Sequence, residues 1–409
     1  MNNAKIILAS VAALALIPAM ASAQHAPYNV LNGQMQLNDV LGVLHVEMGD
    51  ANGVAAAAAA AGNNMAARAV ERDMNVTSTQ TLNGNVGALS NVSAGSARGV
   101  TLSTAVAGGN IAQVEGCCAA TTSDVTQITT YDRSINATSV VRVGSADAIV
   151  SGTQSTGNSF AGWTANGYTN GFAGQYNGAT INADSVVEAC CNNTSVTSSS
   201  VAAANSARWG GESSTIYANA EQKNYGDVAA TSRVGIHSAT NVTSAAAAAA
   251  GNLAEIQNKW GYAQMDGYQE NNNSITSASV VQLGDWGGHA VSGANSIGNS
   301  ALVSNLGSDV TMSMTQNNSG NVTSFAMLEG NSSRGGVGVV SSMATGNAIT
   351  GYACASCGSA GVKVEGYSTQ YNNAAVTAAT YVGVGTAGPI IASATAIGNS
   401  ATFIAQSSH

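Results

Sequence analysis

One repeat pattern fills this chain. A glutamine recurs about every 47 positions, with one longer step before the last copy, and an asparagine follows each glutamine about 30 positions later. The glutamines are Gln34, Gln80, Gln127, Gln175, Gln222, Gln269, Gln316 and Gln370, and the asparagines are Asn63, Asn110, Asn158, Asn205, Asn252, Asn299, Asn347 and Asn399. Self-similarity at this period is typical of solenoids, propellers and arrays. The pattern therefore predicts about eight copies of one structural unit.

Within one unit, apolar and small residues alternate with polar ones. β-branched residues recur six and twelve positions after most of the glutamines, as Val86 and Val92 do after Gln80. A small residue, such as Ser90, stands ten positions after the glutamine. These offsets share one parity, which places the side chains on one face of an extended chain. Since β-branched residues also favour strands over helices, we predict an all-β fold.

A stack of short strands in eight units predicts a β-solenoid, and a β-propeller is the alternative architecture. Propeller blades bury large side chains, but the chain has only 4 tryptophans and 4 phenylalanines in 409 residues. Because a unit of this length is long for one coil of small side chains, we expect two coils of about 23 residues per unit. Cys117 and Cys190 also indicate two coils per unit, because their positions counted from the preceding repeat glutamine differ by about half a repeat. Eight units then give about 16 coils and a rod ~75–80 Å long.

Most units place a glycine directly before the repeat asparagine, as Gly251 and Asn252 show. Glycine tolerates positive φ and asparagine bonds its own backbone, so the pair predicts a turn. Asparagines stacked at one phase also predict an amide ladder, and the glutamines predict a second ladder. The alanine runs Ala55–Ala61 and Ala245–Ala250 occupy a phase that is not helical in other units. We therefore interpret both runs as extended coil rather than helix.

The chain begins with the features of a secretory signal peptide. A lysine precedes the apolar run Ile6–Met20, and Ala21–Ala23 has the small residues of a cleavage site. We therefore predict a signal peptide over residues 1–23, an N-terminal lead-in over 24–33 and a repeat solenoid over 34–409. This organisation predicts an exported protein that stays outside the cytoplasm.

Composition argues against several functions. Charged side chains make up 8% of the chain, with 12 Lys and Arg against 21 Asp and Glu. Nucleic-acid binding needs a basic footprint, so this balance disfavours it. The sequence has no motif that places a nucleophile beside a base, and its histidines share no ligand spacing with its cysteines. We therefore predict no catalytic residues, no metal site and no cofactor.

The six cysteines occur in three close pairs. In an exported protein, an even number of cysteines suggests disulfides. Cys354 and Cys357 are spaced to close a small loop, so a disulfide between them is our prediction. Cys117–Cys118 and Cys190–Cys191 either form rings between adjacent residues or bridge to another coil or chain.

Aromatic residues recur at two phases of the unit. Three tryptophans follow the repeat asparagine, and five tyrosines lie near the glutamine. These residues are Trp163, Trp209, Trp260, Tyr131, Tyr176, Tyr225, Tyr268 and Tyr371. They either cover the corners of the coils or form an exposed surface that contacts sugars or a partner.

The segment Met1–Ala23, the glutamine and asparagine array, and phrases such as Ala394–Ser400 resemble the holdfast attachment protein D family of stalked alphaproteobacteria. The repeats, rich in Gly, Ala, Ser, Thr and Val, also resemble those of curli-type fibre subunits, whose unit is shorter. The first resemblance covers essentially the full length. It implies an anchor at the cell surface, associated with the outer membrane, that fixes an adhesive polysaccharide to the cell envelope. It also implies two partners, a curli-like subunit and an outer-membrane secretion lipoprotein.

We therefore expect an exported cell-surface structural protein of adhesion, not an enzyme, that anchors a holdfast-type polysaccharide. One alternative is a curli-like subunit that self-associates into an extracellular fibre, because open strand edges are templates for pairing. Another is a polysaccharide-active β-helix enzyme, which needs a cleft of clustered Asp, Arg or Lys on successive coils.

Overall fold

The computed structural model describes residues 27–191, 193–333, 336–355, 361–386 and 388–406. Regular structure within these ranges consists of β-strands. The predicted signal peptide lies outside the described residues. The first strand begins at Tyr28, so part of the expected lead-in belongs to the first coil.

The strands follow one another along the chain with these bounds: β1 (Tyr28–Gln36), β2 (Val40–Ala51), β3 (Val54–Val70), β4 (Met74–Leu82), β5 (Val86–Cys117), β6 (Ala120–Thr129), β7 (Ser134–Ala165), β8 (Tyr168–Asn177), β9 (Thr180–Ala189), β10 (Asn193–Glu212), β11 (Thr215–Asn224), β12 (Val228–Lys259), β13 (Ala263–Asn271), β14 (Ile275–Trp286), β15 (His289–Leu306), β16 (Val310–Asn318), β17 (Val322–Ser332), β18 (Val337–Cys354), β19 (Val364–Asn372), β20 (Val376–Thr386) and β21 (Ile390–Gln406).

Every strand pairs in parallel with its counterparts in the neighbouring repeats. The strands that carry the glutamines form an eight-stranded sheet, in the order β1-β4-β6-β8-β11-β13-β16-β19, and the remaining strands form a 13-stranded sheet. Gln34 pairs with Gln80, and Gln316 pairs with Gln370, which is in each case the glutamine of the next repeat. The architecture is therefore a parallel β-solenoid and not a propeller.

The same register corrects the predicted number of coils. Each repeat forms one coil rather than two, because paired residues are a whole repeat apart rather than half a repeat. Eight coils spaced by ~4.8 Å give a stack on the order of 38 Å long, about half the expected rod. One coil uses the whole repeat because it is wide and flat, and small side chains fill the narrow space between its two long faces.

Each coil contains three extended segments, which we name from the second coil. The glutamine strand is β4, the valine strand spans residues 86–97, and the asparagine strand spans residues 101–117; β5 contains the last two. Met74 and Val76 of the glutamine strand belong to one core cluster with Ala112 and Val114 of the asparagine strand. A second cluster joins the valine strand to the first half of the asparagine strand. The glutamine and valine strands thus form one face, and the asparagine strand forms the other.

The alanine runs are extended, as predicted. Ala55–Ala61 lies in β3 and Ala245–Ala250 lies in β12. Ala56, Ala58 and Ala60 are buried, while the alanines between them are exposed. A methyl group fits because the opposite face of the solenoid lies close behind it, so alanine here is a spacer and not a helix former.

The glycine before most of the repeat asparagines has a different role from the predicted turn. Gly109 and Asn110 lie inside β5, and the positive-φ glycines of the described residues are Gly99 and Gly307. A Cβ on Gly109 would lie 2.4 Å from the carbonyl oxygen of Gly157 in the next coil. Glycine at this position therefore favours close approach between coils where the asparagine strand bends, and Ala204 is its counterpart in one coil.

The corner that leads from the asparagine strand into the next glutamine strand has positive φ. Six coils place one left-handed residue there, and five of the six are not glycine. These residues are Glu71, Cys118, Asn166, Ser213, Trp260 and Gly307, with φ between 49° and 91°. The backbone N–H of each donates to a carbonyl of the next coil, so the parallel ladder continues around the corner.

Two of the cysteine pairs form disulfides between adjacent residues, Cys117–Cys118 and Cys190–Cys191. The first lies at the end of an asparagine strand, and the second follows the valine strand β9. They therefore occupy opposite edges of one wide coil, which removes their support for two coils per repeat. The predicted partner of Cys354, Cys357, lies outside the described residues.

Candidate functional site

The eight repeat glutamines stack along the interior of the solenoid. Gln222 Nε2 donates to Gln175 Oε1 at 2.8 Å, and Gln269 Nε2 donates to Gln222 Oε1 at 2.7 Å. The same amide also donates to the asparagine strand across the core, as from Gln222 Nε2 to the Leu253 carbonyl at 2.7 Å. The glutamines thus hold successive coils in register and tie the two faces together.

The eight repeat asparagines form a second ladder, which runs in the opposite direction. Asn205 Nδ2 donates to Asn252 Oδ1 at 2.8 Å, toward the C-terminal end. It also donates to the Lys223 carbonyl of the facing strand at 2.9 Å. Gln80, Asn110 and their central counterparts are fully buried and hydrogen-bonded. These side chains satisfy the interior rather than form a reactive site.

A third amide ladder stands two residues after the glutamine. Asn177 Nδ2 donates to Asn224 Oδ1 at 2.8 Å, and the ladder continues through three more coils. Its members are Asn177, Asn224, Asn271, Asn318 and Asn372. The sequence analysis missed it, although the recurrence of asparagine at this offset was visible, because Gln36, Leu82 and Thr129 occupy the position in the first three coils.

Buried serines link the valine and asparagine strands in a zigzag. Seven hydroxyl groups follow one another at 2.7–2.9 Å and alternate between the two faces. They belong to Ser90, Ser103, Ser139, Ser151, Ser185, Ser198 and Ser232. Because each hydroxyl both donates and accepts, such a chain satisfies polar groups without water.

The aromatic residues divide between interior and surface. The side chain of Trp209 is 2% exposed, whereas those of Trp163 and Trp260 are 48% and 50% exposed. Trp163 pairs with Gly210 and Trp209 pairs with Gly162. Neighbouring positions of one strand point to opposite faces, so Trp209 enters the core while Trp163 lies outside.

A shallow groove of about 220 Å³ surrounds the exposed ring of Trp163 on the outer face of the asparagine strands. Gly210 forms its floor, since a Cβ at this position would lie 2.4 Å from Trp163 Cε3. The missing side chain lets the indole ring lie over the next coil. We call this surface the Trp163 groove.

Hydrogen-bonding side chains line the Trp163 groove. Arg208 Nε donates to Glu255 Oε2 at 2.7 Å, which joins two adjacent coils. On the other side of the ring, Gln113 Nε2 donates to Glu115 Oε1 at 2.6 Å. An aromatic ring with carboxylates, amides and a guanidinium around it offers both apolar contact and directional hydrogen bonds to a polar ligand.

Tyrosines form a second exposed aromatic surface, on the outer face of the glutamine strands. The ring centroids of Tyr168 and Tyr217 lie 5.5 Å apart, and those of Tyr217 and Tyr262 lie 5.6 Å apart. The file therefore spans three coils. Of the tyrosines that the sequence grouped near the glutamine, Tyr131 and Tyr371 are exposed.

Tyr176 and Tyr268, two others of that group, surround the ammonium group of Lys223 at 5.4 and 5.8 Å from their ring centroids. Lys223 also pairs with Glu221 at 2.9 Å. The hydrogen bond from Lys223 lowers the pKa of Glu221 and raises the pKa of Lys223. Burial is the main cause that raises the pKa of Tyr176. The cluster is an ion pair between aromatic rings that braces neighbouring coils.

Within the described ranges, His, Cys, Asp and Glu do not come together in groups of three or more that would hold a metal ion. The same residues contain no helix that is long and apolar enough to span a membrane.

A protein-family model described as "Holdfast attachment protein D" matches residues 48–321, about two thirds of the 409-residue chain. No curated protein and no solved structure gives a significant match. The matched segment includes the Trp163 groove and most of the amide ladders.

Proposed function

The chain belongs to the holdfast attachment protein D family, and from this membership we propose that it is an exported anchor that fixes an adhesive polysaccharide to the cell envelope. Holdfast attachment is a structural function, and the family is not a family of enzymes. The family also indicates a location at the cell surface. The proposal adds the ligand, the surface that binds it and the mode of attachment.

The observation that carries the proposal is the Trp163 groove on a rigid surface of stacked coils. A sugar ring has apolar C–H faces and a rim of hydroxyl groups. The indole ring of Trp163 can pack against an apolar sugar face, and Arg208, Glu255 and Gln113 can hydrogen-bond to the hydroxyl groups. Because Arg208 and Glu255 stand on successive coils, a polysaccharide running along the stack contacts several coils at once.

The rest of the outer surface supports this mode of attachment. Outward positions of the glutamine strands carry small polar residues in the early coils, such as Thr77, Thr79 and Thr81. These hydroxyl groups give many weak contacts over a flat surface, and the avidity of many contacts retains a polymer better than one tight site. The proposed protein partners are a curli-like subunit and an outer-membrane secretion lipoprotein, which would hold the anchor at the envelope.

The proposal is tested by the retention of the adhesive polysaccharide on cells. Deletion of the gene is expected to release the adhesive into the medium, and a Trp163→Ala chain is expected to restore attachment only weakly. The matched control is Trp260→Ala, because Trp260 is about equally exposed but lies at a corner outside the groove. Unchanged retention of the adhesive after gene deletion would contradict the anchor function.

Surface export is tested separately. Protease treatment of intact cells is expected to degrade the chain while a periplasmic marker survives. Protection of the chain equal to that of the marker would place it inside the outer membrane and contradict surface display.

A further inference from the structure

The two ends of the described stack carry unpaired strand edges. β1, β2 and β3 of the first coil pair only with strands of the second coil, and β19, β20 and β21 pair only with the preceding coil. An unpaired edge is a row of free N–H and C=O groups that templates a further strand. Each end is therefore a binding surface for another strand of suitable register.

The glutamine ladder gives the two ends opposite hydrogen-bonding character. Each glutamine donates toward the N-terminal end, as Gln80 Nε2 does to Gln34 Oε1 and Gln370 Nε2 does to Gln316 Oε1. The ladder therefore ends in an open acceptor, Gln370 Oε1, at the C-terminal face. At the N-terminal face it ends in an N–H of Gln34 Nε2, whose other N–H donates to the Asn64 carbonyl.

The asparagine ladder has the reverse direction and ends in the complementary way. Asn63 Nδ2 donates to Asn110 Oδ1, and Asn347 Nδ2 donates to Asn399 Oδ1. The C-terminal face thus presents a donor, Asn399 Nδ2. The N-terminal face presents an acceptor, Asn63 Oδ1.

The backbone repeats this complementarity. The N–H of inward-facing Val322 donates to the carbonyl of Ala375 in the next coil, so the N–H of its counterpart Val376 points out of the C-terminal face. At the other end, the N–H of Val40 donates to Asn85 in the second coil. Successive residues of a parallel strand bond to opposite neighbours, so the N–H of Leu41 points out of the N-terminal face.

The end coils also carry large apolar side chains that face outward. On the first coil, Leu31 and Leu41 are 85% and 69% exposed. Their counterparts in the second coil are Thr77 and Gly87, so the large apolar groups are particular to the end. The same holds for exposed Met35 on the first coil and for exposed Tyr367 and Tyr371 on the last, whose counterparts in the adjacent coil are polar. Apolar residues at an end become covered when another coil stacks beside them.

We infer that the C-terminal face of one chain binds the N-terminal face of a second copy, so that the solenoid continues from chain to chain. Gln34 of the second copy donates to Gln370, and Asn399 donates to Asn63 of the second copy. This contact is heterologous and leaves one free end at each step, so it extends into a filament rather than closing into a dimer. The inference rests on the geometry of the two ends and stands independently of the proposed polysaccharide anchor.

The register of the contact is specific and can be tested by crosslinking. Tyr371 follows Gln370 as Met35 follows Gln34, and both side chains point outward. The double variant Met35→Cys with Tyr371→Cys, in a chain with Cys354→Ser and Cys357→Ser, is expected to form oxidised ladders of dimers, trimers and longer species. The experiment uses the full chain, purified after its export from the cell.

The matched control moves one cysteine out of register. Met35→Cys with Tyr367→Cys places the thiols four residues apart along the strand, about 13 Å, which is too far for a disulfide. Ladders from the first pair and not from the second support the inference. Equal crosslinking of both pairs, or no ladder from the first pair, would overturn it.

A second pair of variants separates loss of stacking from loss of folding. Leu41→Pro removes an N–H that points out of the stack, so it breaks the contact between chains but no hydrogen bond within one chain. Leu41→Thr retains this N–H. By electron microscopy, we expect filaments whose lengths are multiples of about 38 Å for the parent chain and for Leu41→Thr. Leu41→Pro is expected to stay as single folded stacks, and filaments of this variant would refute head-to-tail pairing.

Discussion

At the scale of single residues, the interior of this protein depends on amide and hydroxyl groups as much as on apolar ones. Gln175, Gln222 and Gln269 are fully buried, and each amide contacts the coil on either side and the opposite face. A buried polar group without a partner costs more free energy than a satisfied one contributes. The ladders therefore penalise any error in register strongly, and they specify how the coils stack.

Replacement of one central glutamine tests this view. Gln222→Leu leaves Gln175 Oε1 and the Leu253 carbonyl without their donor. We expect the free energy of unfolding to fall by about 3 kcal/mol, measured as a shift in the urea midpoint. The control is Gln282→Leu, because the Gln282 side chain is exposed and donates to Glu329 in the neighbouring coil. A control that destabilises as much as Gln222→Leu would contradict a special role of the ladder.

A half-buried carboxyl group predicts a pH dependence of stability. Burial raises the pKa of Asp184, although Arg233 partly opposes this, and Asp184 Oδ1 has no hydrogen-bond partner. A raised folded-state pKa means that this residue contributes stability below its unfolded-state pKa and loses that contribution as pH rises through the folded-state value. Asp184→Asn is therefore expected to raise the melting temperature at pH 7.

The same comparison at acid pH provides the control for Asp184→Asn. Below both pKa values the carboxyl group is neutral in the folded and unfolded states, so the difference between the two proteins should become small. A gain in melting temperature that is the same at pH 3 and pH 7 would show that charge is not its cause.

At the scale of strands and corners, the fold repeats one strained feature. The corner residues Glu71, Cys118, Asn166, Ser213 and Trp260 have positive φ. For residues other than glycine, this conformation costs roughly 1–2 kcal/mol. The hydrogen bonds that carry the ladder around the corner offset that cost. The corner is therefore held by its neighbours in the stack rather than by its own sequence.

Relief of this strain should stabilise the protein. Ser213→Gly keeps the backbone N–H that donates to the Lys259 carbonyl and removes the steric cost of φ 53°. We expect a gain of up to about 1 kcal/mol in the free energy of unfolding. The matched control is Ser199→Gly, since exposed Ser199 lies within β10. There glycine should destabilise by about 0.5–1 kcal/mol, so the two changes are expected to differ in sign.

Sequence alone predicts the strands because their side chains alternate at fixed offsets, as Val86, Ser90 and Val92 show. It does not predict the corners, because six different residue types adopt the same left-handed conformation there. Sequence alone also groups Trp163 with Trp209. Their places in the paired strands differ by one position, so one ring is exposed and the other is buried. The predicted number of coils was wrong for a similar reason. The width of a coil depends on how its two faces of small residues pack together, and the sequence of one unit does not show this packing.

At the scale of the whole molecule, the coils form a nearly one-dimensional stack. Each coil contacts the coils before and after it, so stability is approximately a sum over coils and their interfaces. Charged groups, exposed aromatic rings and disulfides differ from coil to coil, whereas the register between strands is the same in every coil. The unit that can be added or removed is therefore the coil.

Deletion of one repeat tests this modularity and the number of coils together. Removal of residues 222–268 joins Glu221 to Gln269 and leaves every column in register. We expect a folded protein, shorter by ~4.8 Å in small-angle scattering, with a cooperative melting transition by circular dichroism. Removal of residues 222–245, about half a repeat, should instead prevent folding, whereas a solenoid with two coils per repeat would tolerate it.

The way the chain winds has a mechanical consequence. Since each coil lies across the axis of the stack, a load along that axis acts on the hydrogen bonds between coils and not on the covalent backbone. An end coil that peels away releases one repeat, such as the 47 residues between Gln222 and Gln269. Fully extended, this length of chain reaches about 160 Å. A molecule under tension would thus lengthen step by step and dissipate energy at each step before the whole chain is extended.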